Sequence, residues 1–343
     1  MDHAQSMQDF IRGIPKAEIH VHVEGTLEPD MLLEFGRRNG VGVRCSSAED
    51  CRASYHFTDL QHFLNLYYEG VTVLVTERDF HELTAAYLRR AHADGARHVE
   101  LFFDPQSHLP RGVPMRVVVE GIRGALAEAE RELGLSSNLI LCFLRDKSPA
   151  DAAVVLEAAR PYRHLIAGVG LDSAEQGYPP RLFERVFRSA REAGFATVAH
   201  AGEEGPAKYV EEAVELLRVT RVDHGVHAVD DPALVERLVR DRVPLTMCPL
   251  SNRELNVTPD LSTHPLKRLL DAGVRVTVNS DDPAYFGGYL AANYEAIQSA
   301  LDLSRDDIAL LARNSITASW LRPSREAELL AELHAFVTAG SGR

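Results

Sequence analysis

Eight short runs rich in Val, Ile, Leu and Phe recur along the chain, and longer stretches with helical spacing separate most of them. The runs lie at residues 17–23, 98–103, 139–144, 165–171, 195–200, 221–224, 244–248 and 275–280. Near-continuous apolar character marks strands buried on both faces, which is how a parallel sheet covered by helices reads. Helical patterns fall at 80–94, 115–133, 150–159, 181–193, 208–218, 232–240 and 265–271, with Gly, Pro and Asp at the joints. Eight strands alternating with helices predict an α/β chain closed into a (β/α)8 TIM barrel rather than an open sheet.

The 343 residues are expected to form a single domain, 1–343, since barrels of this size often fold as one unit. Residues 24–97 exceed a minimal β1–α1 connection and carry helical patterns at 29–39 and 59–68. Such an insertion leaves the C-terminal rim of the barrel, so it is expected to roof the active site. The tail beyond Leu303 reads as C-terminal helices, with Ser304 and Asp307 a capping pair.

Composition excludes several classes. Lys and Arg number 37 against 50 Asp and Glu, a net charge of −13, which disfavours nucleic acid as a partner. No run of roughly 18 apolar residues appears, so no membrane span is expected. Four cysteines are too few and too scattered for a disulfide scaffold, and the N-terminus lacks the apolar run of a signal peptide. Together these point to a cytoplasmic protein; they leave the oligomeric state open.

Familiar catalytic signatures fail. His81-Glu82 opens an HExxH, but Ala85 stands where the second histidine belongs. His22-Val23-Glu24 matches half of the cytidine deaminase signature, and the PCxxC half is missing. There is no GxSxG, Walker loop or GxGxxG.

What remains is a constellation at strand ends. His20 and His22 lie two apart on strand 1, so both side chains leave the same face. His200 ends strand 5, His224 ends strand 6, and Asp281 and Asp282 follow strand 8, which neighbours strand 1 in a closed barrel. Three imidazoles and a carboxylate suit Zn2+ with a water completing the site. Residues 170–174 after strand 4 contain no lysine to bridge a metal pair, so one ion per chain is expected. The other histidines, such as His3, His62, His92 and His164, belong to helices or loops.

The segments 15–22 (PKAEIHVH), 200–203 (HAGE), His224-Gly225, 248–252 (CPLSN) and 281–283 (DDP) together resemble the adenosine/adenine deaminase family of metal-dependent hydrolases, over about residues 14–320. The resemblance implies zinc held by His20, His22, His200 and Asp281, Glu203 as proton donor, and His224 to orient or deprotonate the water. It also implies Asp282 bonding the purine N7. Glu203, three residues past a ligand, is placed to reach N1 if burial raises its pKa.

Local sequence resembles the adenine branch, at Glu24 in 20–29 (HVHVEGTLEP), Asp223 before His224, 102–106 (FFDPQ) and 279–288 (NSDDPAYFGG). Larger acidic side chains would fill the space a ribose needs, and a free base offers an N9 hydrogen that Asp223, Glu24 or Glu175 could accept. The expected reaction is therefore hydrolytic deamination of adenine to hypoxanthine and ammonia, a purine salvage step. Adenosine and N6-substituted adenines are the alternative substrates.

Overall fold

The computed structural model describes residues 6–341; the first five residues, His3 among them, and the last two lie outside it. Eight parallel strands pair in sequence order: β1 (Lys16–His22), β2 (Ala96–Phe103), β3 (Ser136–Leu144), β4 (Gly168–Asp172), β5 (Ala196–Ala201), β6 (Arg221–His224), β7 (Leu245–Met247) and β8 (Val276–Val278). The ring closes just past β8. Asp281 donates its N–H to the His20 carbonyl, and its own carbonyl accepts from His22 N–H at 2.9 Å. The fold is a (β/α)8 barrel.

Alternation along the strands separates the interior from the helix-facing side. Leu101, Phe103, Leu139, Leu141, Phe143, Val169 and Leu171 join the main apolar core, whereas Phe102, Ile140, Cys142 and Val198 form a separate cluster inside the barrel. Below that layer lies a buried polar plug. Arg221 pairs with Glu100, whose carboxylate also meets His98 Nε2 and accepts from Asn138, while Trp320 stacks on the guanidinium from the base. The plug holds charge where a smaller apolar layer would leave carbonyls such as Ile19 O, which accepts from Arg221 Nη2, without donors.

Several boundaries differ from expectation for local reasons. Leu165 and Ile166 close a turn onto the Tyr162 carbonyl, so β4 starts only at Gly168. Past Val278 the chain leaves the ladder, and Ser280 N–H turns to the Glu18 carboxylate. The expected helix at 208–218 is Ala207–Glu212 followed by a wider π-type turn, Ala213–Leu217. Helices Met7–Gly13 and Leu290–Leu301 were not expected.

Between β1 and β2 the chain forms helices Pro29–Asn39, Ala48–Ala53, Leu60–Gly70 and Glu77–Ala93. The last begins with a capping box of Thr76 and Asp79 and packs along helix Met115–Leu133, so it belongs to the outer helical layer. Ser304 and Asp307 form the expected capping box on helix Arg305–Ala318. Cys45 and Cys51 are disulfide-bonded within this excursion, a single local link rather than a scaffold; Cys142 and Cys248 are buried thiols. Among the described residues no helix is long and apolar enough to cross a membrane.

Candidate active site

The C-terminal ends of the strands bring His20, His22, His200 and Asp281 together. His22 Nε2 lies 3.1 Å from His200 Nε2 and 3.4 Å from Asp281 Oδ1, and His20 Nε2 lies 3.1 Å from the same oxygen. Four donors around one ion at zinc-like bond lengths stand roughly 3.4 Å apart, so these spacings leave room for a single cation at their centre. His224 is set back, with Nε2 at 3.9 Å from Asp281 Oδ2 and 3.6 Å from Glu203 Oε2. His20, His200, His224 and Asp281 form a buried group that could hold a metal, and His22 groups with Asp281 and Asp282 beside it.

Each converging imidazole is backed on its Nδ1 side. His20 Nδ1 lies 2.8 Å from the Thr246 hydroxyl, which donates to Asp223 Oδ1 at 2.9 Å. His200 Nδ1 faces Asp223 Oδ2 at 3.6 Å, and His22 Nδ1 faces Asp172 Oδ2 at 3.6 Å. Acceptors there place the proton on Nδ1 and turn the Nε2 lone pair towards the centre. Burial lowers His22 to about 4 and His224 to about 3, and pushes His200 well below its usual range. The neutral form is the one that ligates a cation or accepts a proton.

Backbone conformation lets neighbours divide their duties. His224 and Asp281 adopt φ of 61° and 63°, rare for residues with a side chain. The turn at His224 breaks strict alternation, so Asp223 points under the histidines while His224 stands above them. Asp281 likewise faces the imidazoles, and Asp282 lines the cavity above them together with Glu203. Burial, reinforced by Asp281, raises the pKa of both Glu203 and Asp282, favouring carboxylic acids that can donate a proton or hydrogen bond. Leu60, Phe63, Leu64, Tyr67 and Tyr68 cover the same cavity from helix Leu60–Gly70.

Three residues expected at the substrate stand elsewhere. Asp223 pairs in register with His200 and with Thr246, so it is buried beneath the histidines and does not line the cavity. Glu175 accepts backbone N–H bonds from Gly202, Glu203, Glu204 and Gly205 at 2.7–3.0 Å, which occupies both oxygens and anchors the loop that carries Glu203. Glu24 also lies behind the cavity wall. Its Oε1 accepts from Asp104 N–H and from His108 Nε2–H at 2.7 Å, while Arg111 donates to His108 Nδ1.

Two cavity residues were not anticipated, Asp104 at the end of β2 and Asp172 closing β4. The strand-end rule that found the histidines would have found both, but neither sits in a histidine-bearing motif.

Residues 15–336 match the family described as adenosine deaminase. An adenine deaminase of Cupriavidus pinatubonensis is 57% identical over 97% of this chain and 95% of its own length. One from Hahella chejuensis is 51% identical over 96% of this chain and 99% of its own. Among solved structures, an adenine deaminase from Arthrobacter aurescens superposes with a TM-score of 0.93 at 48% identity, covering 95% of this chain and all of that one. An amidohydrolase from Burkholderia ambifaria, solved with bound Zn, gives 0.90 at 26% identity over 100% of this chain and 97% of its own.

Proposed function

This chain belongs to the adenosine deaminase family and is a hydrolytic deaminase, and from that premise we propose that it converts adenine to hypoxanthine and ammonia with one bound zinc ion. The observation that carries the reading is the placement of Glu203 and Asp282 in one cavity above His20, His22, His200 and Asp281. The relatives named adenine deaminase, at 51–57% identity, support the free base over its nucleoside.

In this reading His20, His22, His200 and Asp281 hold the ion, and three nitrogens with one carboxylate oxygen suit zinc. Zinc, when bound, acidifies water for attack at C6 of the ring. Glu203 gives its proton to N1, which lowers the aromatic resistance to attack. His224, neutral and 3.6 Å from Glu203, orients the water and takes its proton. Asp282 in its acid form donates to the N7 lone pair and fixes the ring. Glu203 and His224 are then the groups that move protons to the departing amine.

A second acidic group, His22 with Asp104 and Asp172, borders this centre. Its contact with His22 is through Nδ1, the side a ligating imidazole uses for its supporting bond, so we count one ion. We also read 1–343 as one domain; of the expected 24–97 insertion, helix Leu60–Gly70 lines the cavity, while helix Glu77–Ala93 joins the outer layer and β2 begins at Ala96. The substrate is a small purine.

Ammonia release from adenine, adenosine and N6-methyladenine, with zinc measured on the same preparation, tests the proposal. Adenine should be turned over with the highest kcat/KM. Glu203→Gln should keep its zinc and lose about 10²- to 10⁴-fold in kcat. A preparation that spares adenine and consumes adenosine overturns the substrate, and an active Glu203→Gln overturns the acid.

A further inference from the structure

We propose that Asp104 accepts the N9 hydrogen of the free base and is the residue that selects a base over its nucleoside; this rests on the adenine reading above. Asp104 is 2% exposed and shares the cavity with Glu203 and Asp282. Its Oδ2 accepts from the Tyr67 hydroxyl at 3.3 Å; the Asp172 carboxyl stands beside it, and its Oδ1 has no N–H donor among the described residues. A buried acceptor turned to a substrate cavity without a donor is a place a ligand N–H completes.

The order of strands around the barrel says which N–H. With N7 at Asp282 after β8, N1 at Glu203 after β5 and the C6 edge turned to His224 closing β6, the opposite rim of the purine faces the β2–β4 side of the cavity. From N7 the rim runs C8, N9, C4, N3, C2, N1. Asp104 on β2 therefore meets the N9 side and Asp172 on β4 meets the N3 side. In the N9–H form of adenine, N3 carries a lone pair and no proton, so the only ring N–H on this rim is the one that reaches Asp104.

The surroundings make Asp104 a fixed acceptor. Its backbone N–H is held by Glu24, which accepts from His108, whose other ring nitrogen accepts from Arg111. Asp172, whose Oδ2 faces His22 Nδ1 at 3.6 Å, would lie beside N3, which has no hydrogen to offer it. Either protonation state of Asp104 keeps an acceptor oxygen. A nucleoside replaces the hydrogen by a glycosidic carbon, which loses the bond and drives a sugar against Asp104 and Tyr67.

The test compares adenine with 9-methyladenine on zinc-loaded wild type, Asp104→Ala and Asp104→Asn. Wild type should prefer adenine by about 100-fold or more in kcat/KM. Asp104→Ala should raise the KM for adenine about 10- to 100-fold at nearly constant kcat, because the bond is made in ground and transition states alike. Its activity on 9-methyladenine should not fall. Asp104→Asn, which retains a carbonyl and the side-chain size, should raise the adenine KM less than Ala does. An unchanged adenine KM in metal-replete Asp104→Ala overturns the proposal. So does an equal loss on both substrates in either variant, which marks a merely structural role. Wild type that ignores adenine defeats the function itself, a result distinct from these.

Discussion

Replacing Glu175 by Ala removes the acceptor for four backbone N–H groups in the loop that carries Glu203. Each bond to a carboxylate is worth roughly 1.5–3 kcal/mol net, and an abandoned buried N–H costs roughly 1–3 kcal/mol. Loop relaxation and entering water recover part of that sum. Arg145, whose Nη1 lies 3.9 Å from Glu175, also loses a buried counter-charge. We expect a loss of about 4 kcal/mol, near the upper end for a single substitution. Glu175→Gln keeps one oxygen for the three N–H groups now on Oε2 and sets its amide against Gly202 N–H, at a cost of about 2 kcal/mol. Urea unfolding gives the stability from the midpoint at constant slope. Ammonia release separates the roles: displacing Glu203 lowers kcat about 10²-fold, whereas loss of a substrate contact raises KM. Stability within about 1 kcal/mol of wild type together with an intact kcat refutes the anchoring account.

Three further outcomes follow from the geometry. A Cβ on Gly25 would overlap the Asp282 carboxyl, so Gly25→Ala should displace that carboxyl and lower kcat/KM about 10²-fold, with metal content unchanged on elemental analysis. Asp223→Ala removes the support behind His20 and His200; chelator competition should show metal held about 10- to 100-fold more weakly, while the ratio of adenine to adenosine activity stays put. Burial opposes ionisation of Glu100, yet Arg221 and His98 hold it at about 2, below its ordinary value of 4.5. The stability it contributes is therefore complete above pH 4.5 and lost as pH falls towards 2, a swing of about 3 kcal/mol that Glu100→Gln should erase from the urea midpoints. Parallel acid profiles for the two proteins would contradict that.

The barrel was legible because its strands are apolar on both sides, and the histidine and aspartate cluster because HxH, His200 and Asp281 each fall at a strand end. What sequence order could not convey is which atoms meet across strands. Asp223 adjoins a site histidine in the chain, and it takes the strand register to set it beside His200 and Thr246, away from any substrate. Glu175 looked like a purine contact because it follows β4; only the folded loop reveals four N–H groups aimed at it. Asp172 was hidden for the opposite reason, and Asp104, though inside the 102–106 segment that resembles the adenine branch, was not singled out. Single aspartates at turns are common, and their importance arises from shared burial beside His22. Strand ends blurred wherever a side chain such as Glu18 captured a backbone N–H and drew the chain out of the ladder.

The joint between the first and last strands runs through Asp281, whose backbone grips His20 and His22 while its carboxylate faces their rings. A chain emerging from the ribosome holds HxH almost from the outset, whereas Asp281 follows 261 residues after His20. The pocket of donors is therefore assembled only when the last strand meets the first, so long-range closure and site geometry are one event.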